Sequence, residues 1–278
     1  MHTLNAVYII WRREMVRWWR DKIRIVSSLG FPLVFLFVFG SGLSGAMGSL
    51  TQGAPSAASI DFKQFIFPGI IAMNVLLGAV FNGVSLVYDR EFGILKEVMV
   101  APVSRAAVAF GKTLGGATVA SLQGLLVLVF APLVGVKLTP ILVIEILPVM
   151  FIGAFALGSM GVVIASRMRS TQGFQVVNQF ITFPLIFLSG VFFPLQNLPG
   201  WMSFLVKINP VSYAVDPLRR LFLEAQGLPK QVMDKLGNFG LGLTIGGHLV
   251  SVTESLVIVG VFGLAMNLLA MWLVSIQD

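Results

Sequence analysis

The chain has 278 residues, of which 56% are hydrophobic and 11% charged, and its mean hydropathy is +0.91. That composition excludes an ordinary water-soluble domain, and the absence of cysteine excludes disulfides, thiol catalysis and cysteine-ligated metal. The formal charge of +7 is read as basic loops facing anionic lipid, with no nucleic-acid partner expected.

A hydrocarbon core ~30 Å thick needs roughly 20 apolar residues per helix, so this length holds about six spans in a single all-α membrane domain covering the whole chain. Residues 1–24 come first and are the most basic segment, with Arg12, Arg13, Arg17, Arg20, Lys22 and Arg24 against Glu14 and Asp21. Leu4, Val7, Tyr8, Trp11, Met15, Trp18 and Trp19 recur at spacings of three and four, which predicts an amphipathic helix lying in the membrane interface. The apolar stretches follow at residues 25–43, 65–87, 107–136, 141–165, 174–193 and 253–276. The third is longer than one span requires, so its membrane part is expected to begin near Thr113. Pro32, Pro68, Pro132, Pro148 and Pro184 lie in or near these stretches and mark expected kinks.

Counting Lys and Arg in the short loops puts both termini on the cytoplasmic side. Two segments between spans are too structured to be linkers. Residues 88–105 carry Phe92, Leu95 and Met99 on one face, alternating charges on the other, and Pro102 as a stop, which predicts a short cytoplasmic amphipathic helix. Residues 194–252 form the long external segment. Its first part is apolar enough to dip back into the membrane, with Trp201 and Tyr213 suited to headgroup level.

Residues 106–113, Ala-Ala-Val-Ala-Phe-Gly-Lys-Thr, fit a relaxed phosphate-loop pattern but lack its first glycine and a preceding strand, so Lys112 is read as an interfacial side chain reaching for water. Span centres carry no Asp, Glu, Lys, Arg or His, while Glu145 and Glu254 fall in first turns near the outer surface. Ion-coupled transport needs such groups at depth, so any uphill transport must be powered by a partner. No metal site and no catalytic residue are expected. The polar residues Asn74, Asn82, Asn178 and Thr182, with the aromatics Phe180, Phe183 and Phe187, are candidates for a substrate path, although buried amides also serve as interhelical glue. Small pairs at Gly111 and Gly115 and at Ala154 and Gly158 permit close helix approach.

Two further stretches carry a family resemblance. One is Phe183-Pro-Leu-Ile-Phe-Leu-Ser-Gly-Val-Phe-Phe-Pro194, followed by Leu198-Pro199, Asn209-Pro210-Val-Ser-Tyr213, Asp216 and Arg219. The other is Arg90-Glu91-Phe92-Gly93-Ile-Leu95-Lys96-Glu97 with Ala101-Pro102-Val-Ser-Arg105 and Gly111-Lys112. Together they make the chain resemble the ABC-2 type membrane permeases over essentially its whole length. The resemblance implies that residues 1–24 are an elbow helix and that Arg90, Glu91, Phe92, Gly93, Leu95, Lys96, Glu97 and Pro102 belong to a coupling helix. There Glu91, Lys96 and Glu97 would face a soluble subunit while Phe92 and Leu95 anchor to the spans. Pro194, Pro199, Asn209, Pro210, Tyr213 and Arg219 would form an external re-entrant hairpin. The implied assembly has two permease subunits, expected to be identical, docked in a prokaryotic plasma membrane onto two ATPase subunits that bind ATP and Mg²⁺. The expected cargo is an amphiphilic small molecule, drug or lipid. A lipid-linked polysaccharide is the alternative within the class, and ion-coupled transport the alternative outside it.

Overall fold

The computed structural model describes residues 2–50, 62–93, 104–192, 195, 198–226, 242–245 and 248–276. The chain is mostly helical. In order come α1 (His2–Arg20), α2 (Lys22–Leu50), α3 (Phe62–Phe81), α4 (Val84–Glu91), α5 (Arg105–Leu128), a 3₁₀ turn (Ala131–Val134) and α6 (Pro140–Arg167). There follow α7 (Thr171–Phe187), α8 (Gly200–Ile208), α9 (Pro210–Ala225), the short antiparallel pair β1 (Thr244–Ile245) and β2 (His248–Leu249), and α10 (Val252–Ser275).

The helix starts follow local chemistry. Ser104, Thr139, Ser170 and Asn209 each accept a backbone N–H at the start of α5, α6, α7 and α9, and Ser251 with Glu254 closes a capping box on α10. Pro32, Pro68, Pro148 and Pro184 lie inside α2, α3, α6 and α7 without ending them. The helix of the third apolar stretch runs from Arg105 and ends before the stretch does. It stops at Leu128, and residues 131–134 turn to a left-handed Gly135 at φ 73°.

Three segments among the described residues are long and apolar enough to cross a membrane: Ile66–Glu91, Pro140–Arg167 and Val252–Ser275. The first is broken at Asn82 and Gly83 between α3 and α4. A Cβ on Gly83 would lie 2.6 Å from the Gly161 carbonyl oxygen, so the break is pressed onto α6 where only glycine fits. The main core joins α3, α5, α6, α9 and α10, with Phe67 of α3 meeting Phe222 of α9 edge-on at 5.8 Å. A second apolar cluster of Leu86, Val87, Ala109, Val162, Phe174, Ala270 and Val274 ties α4, α5, α6, α7 and α10 at one end of the bundle. That end also carries Arg13, Arg90, Arg105, Lys112, Arg167 and Arg169 and is called the basic end below. The opposite one, where α8 and α9 turn back, is the hairpin end. Apolar side chains such as Val261, Leu264, Leu268 and Trp272 of α10 are exposed, a surface suited to a hydrocarbon solvent rather than water.

Instead of lying apart from the bundle, α1 packs lengthwise along α5. Gly111 lets Ile10 approach to 3.0 Å of where a Cβ would sit, Gly115 does the same for Glu14 at 2.9 Å, and the Trp11 indole donates to Thr118 Oγ1 at 3.1 Å. The buried seam is Ala6, Ile10, Glu14 and Trp18; of the predicted aromatic stripe, Trp18 joins this seam and Trp11 bonds across it, while Leu4, Tyr8 and Trp19 are exposed.

Candidate functional site

Of the segment 88–105 expected to form an amphipathic helix, residues 88–93 end the helical run Ile66–Glu91 and residues 94–103 lie outside the described residues. Tyr88, Asp89, Arg90 and Glu91 finish α4, and Gly93, in the left-handed region at φ 76°, stops it. Leu95, Lys96, Glu97 and Pro102 lie outside the described residues. Phe92 is 67% exposed and stacks on Tyr88 at 5.5 Å, so it does not anchor to the bundle as expected.

The last turn of α4 is gripped from two sides. On one side Asp89, 3% exposed, takes Lys112 Nζ of α5 at 2.6 Å and Arg13 Nη2 of α1 at 2.6 Å. Lys112 reaches Glu14 of α1 at 3.4 Å and donates to Ser85 Oγ at 3.0 Å. Lys112 is therefore a buried ion-pair hub and not an interfacial side chain reaching for water. Residues 106–113 are helical throughout, which commits their peptide N–H groups to the helix and leaves no loop to wrap a phosphate. Burial would lower the Arg13 guanidinium, but Asp89, with Glu14 behind it, more than offsets this and holds it above its ordinary range.

On the other side Arg90 and Glu91 reach the turn between α6 and α7. Arg90 Nη1 donates to the carbonyls of Ser166 at 3.1 Å and Met168 at 2.6 Å, satisfying acceptors that the end of α6 leaves open. The exposed Glu91 carboxylate accepts both the Thr171 N–H at 3.0 Å and its hydroxyl at 2.6 Å, adding a second cap to the start of α7. A displacement of α4 must therefore pull on α1, α5, α6 and α7 together. Arg105 Nη1 also contacts the Ser275 carbonyl at 3.4 Å, which brings the end of α10 to the same end of the bundle.

The predicted path residues separate into three groups. Asn74 lines an open pocket of about 490 Å³ with Arg24, Ser27, Ser28, Phe31 and Gln123, between α2, α3 and α5, and donates to the Ser28 carbonyl at 2.9 Å. Asn82 is a tie at the α3/α4 break: its Oδ1 accepts Arg24 Nη2 at 2.7 Å and its Nδ2 donates to the Gly116 carbonyl at 3.1 Å. Asn178 and Thr182 are buried on the inner face of α7, where the Thr182 hydroxyl donates to Asn178 Oδ1 at 2.9 Å, away from that pocket. Phe180, Phe183 and Phe187 occupy exposed faces of α7. Only Phe187 joins a track toward the pocket, through Phe192 at 5.0 Å, Phe35 at 5.3 Å and Phe31 at 5.6 Å.

At the hairpin end, the motif residues cap the carbonyls where α7 stops. Asn209 Nδ2 donates to the Leu185 carbonyl at 2.6 Å, the Ser212 hydroxyl to Leu188 at 3.4 Å, and the buried Arg219 guanidinium to Gly190, whose φ is 78°. Asn209 also caps α9, with Pro210 in its first turn, and Pro199 precedes α8. Tyr213 is 5% exposed with its hydroxyl on the Lys207 carbonyl, while Trp201 is exposed. Pro194 lies outside the described residues. The sequence reading missed Arg24, Glu14 and Asp89 as structural partners. Each has an opposite charge close by in sequence, Arg13 beside Glu14, Arg90 beside Asp89 and Asp21 near Arg24, which hid the longer-range partners.

A family model described as ABC-2 type transporter matches residues 5–223. The chain is 28% identical over 255 residues to the daunorubicin resistance ABC transporter permease protein DrrB1 of Streptomyces coeruleorubidus, covering 87% of this chain and 81% of that protein. It is 25% identical over 219 residues to nodulation protein J of Rhizobium meliloti, covering 77% and 80% of the two chains. The motifs that cap α7 and bind the end of α4 both fall within the matched span, and the chain belongs to the ABC-2 type transporter family of membrane permeases.

Proposed function

We propose that this chain is the membrane subunit of an ATP-driven exporter. In this reading it has six spans, the basic end and both termini are cytoplasmic, and it works as a dimer on two ATPase subunits in a prokaryotic plasma membrane. The observation that carries the reading is the double grip on α4. Residues 88–93 lead directly into the segment expected to meet the ATPase, and they are fastened to α1 and α5 through Asp89 and to the α6–α7 turn through Arg90 and Glu91. Closure of a soluble partner pressing on this segment would thus reach four helices as a rigid push. The common location of α1 and the end of α10 supports the shared side of the termini.

An amphiphilic small molecule, drug or lipid is the favoured cargo. The pocket at Asn74 has the volume of a drug-sized site, with a few polar groups in an apolar wall, and the run Phe31, Phe35, Phe192 and Phe187 offers ring faces from it toward the hairpin end. The name of the daunorubicin resistance relative points the same way. The test is to co-purify the chain with its soluble partner and reconstitute both in liposomes with a fluorescent amphiphile. ATP-dependent export is expected, along with no hydrolysis by the permease alone. Appreciable hydrolysis without a partner, or transport that survives ATP depletion but collapses with the proton gradient, would overturn the proposal.

A further inference from the structure

The two sides of α1 form one continuous recognition surface that the coupling role leaves unused. On one side an open groove of about 1120 Å³ is lined by Ile9, Arg12, Arg13, Val16, Arg17 and Arg20 of α1, with Asp21, Tyr88, Asp89 and Phe92 opposite or beside them. Its acids are already engaged: Asp89 binds Lys112 and Arg13, and Asp21 caps α2 by accepting the Arg24 N–H. Arg12, Arg17 and Arg20 are exposed and have no ion-pair partner among the described residues; Arg17 sits over the Tyr88 ring at 5.9 Å. On the other side a slot of about 520 Å³ is lined by Met15, Val16, Trp18, Trp19, Leu122, Leu125 and Leu126, and again by Arg20. Val16 and Arg20 border both cavities. Trp18, 6% exposed, lines the slot, and its buried indole N–H has no hydrogen-bond partner among the described residues.

An occupant of this surface must be anionic at one end and aliphatic at the other, with an oxygen acceptor between. We infer that α1 holds one acidic phospholipid, its phosphodiester between Arg12, Arg17 and Arg20, an ester or phosphate oxygen on the Trp18 N–H, and an acyl chain along Leu122, Leu125 and Leu126. An orphan indole N–H in an apolar wall costs free energy until something accepts it, and a lipid ester supplies the acceptor where water is scarce. Three unpaired arginines attract an acidic headgroup over a zwitterionic one. This assignment rests on the basic end meeting a lipid leaflet and does not depend on which cargo is exported or on the ATPase.

The test is native mass spectrometry of the detergent-purified full chain with equimolar phosphatidylglycerol and phosphatidylcholine, a readout that needs no transport. One phosphatidylglycerol per protomer is expected to survive gentle activation. Arg17→Gln and Arg20→Gln should each reduce its retention roughly fivefold, the effect of about one surface-lipid charge contact. Trp18→Phe should weaken phosphatidylglycerol retention in protein that remains helical by circular dichroism, at some cost in melting temperature because Trp18 lies in the buried seam between α1 and α5. Equal retention of both lipids, or retention unaffected by Arg17→Gln and Arg20→Gln in a folded protein, would overturn the site. Displacement of the lipid by millimolar inorganic phosphate would mark a free-anion site, and displacement by polyglutamate an acidic protein segment. Either result also overturns it.

Discussion

The basic end and the hairpin end of the molecule are fastened in different ways. At the basic end ion pairs join helices far apart in the sequence, Lys112 with Asp89 and Glu14 and Arg13 with Asp89, and charged side chains add hydrogen bonds, Glu91 from Thr171 and Arg90 to the Ser166 and Met168 carbonyls. At the hairpin end the joints are side chains on backbone carbonyls, with Asn209, Ser212 and Arg219 closing the open acceptors of Leu185, Leu188 and Gly190. Carbonyl caps have a single geometry, because the acceptor is fixed by the helix it terminates. Ion pairs among long side chains hold over a range of positions. The first end is thus held by joints that tolerate displacement, the second by joints that do not.

Substitutions can break this contrast, and they rank by expected effect on stability. The largest belongs to Lys112→Met. It leaves Glu14 and Asp89 buried with Arg13 alone, and loss of one partner from a buried ion pair costs about 3–5 kcal/mol. Unfolding of the detergent-solubilised protein should show a marked fall, and Lys112→Met combined with Asp89→Asn should recover part of it. A double variant as unstable as the sum of the singles would deny that the two groups act as a pair. Next is Arg219→Lys, which keeps charge but loses the planar fork. With Gly190 left open and Asp216 nearby, a cost of about 2 kcal/mol is expected. A full rescue by lysine would reduce the Arg219 contact to simple charge.

The positions of these two ends were unequally legible in the sequence. Helix starts could be read because Ser104, Thr139, Ser170, Asn209 and Ser251 act locally, within three residues of the N–H groups they cap. The hairpin motif was visible for a related reason, since Asn209, Pro210 and Arg219 lie in one short stretch. The ion cluster was not visible. Residues 14, 89 and 112 come from three helices, and nothing in a single sequence says that Lys112 meets Asp89 instead of water. The contact face of α1 was hidden for the same reason. The periodicity identified a helix, but the face that packs on α5 was set by Gly111 and Gly115, which admit Ile10 and Glu14. The path residues split because amides at span depth serve equally as pocket lining, as at Asn74, and as interhelical ties, as at Asn82.

A smaller effect is expected for Asn209→Ala, which removes the cap on Val211 N–H and the donor to Leu185 at once. The cap alone is worth about 1–2 kcal/mol, and Asn209→Ser should restore that part only, since its short hydroxyl can cap Val211 but cannot reach the Leu185 carbonyl. Equal unfolding midpoints for the serine and alanine variants would mean that the donor to Leu185, not the cap, fastens the hairpin.

The smallest change in stability and the sharpest change in function are expected at Glu91. Its carboxylate is exposed, so the fold should barely register its loss, yet it ties the end of α4 to the start of α7. If that link transmits the push, what matters is an acceptor oxygen and not a charge. Glu91→Gln should then retain most substrate transport per ATP hydrolysed by the partner. Glu91→Ala and Thr171→Val should both let hydrolysis continue while transport falls. If instead the carboxylate is a docking charge for the ATPase, Glu91→Gln should uncouple as fully as Glu91→Ala, and Thr171→Val should behave as the unmodified protein. The two outcomes separate a contact within the membrane subunit from a contact across the interface, using side chains whose removal leaves the bundle intact.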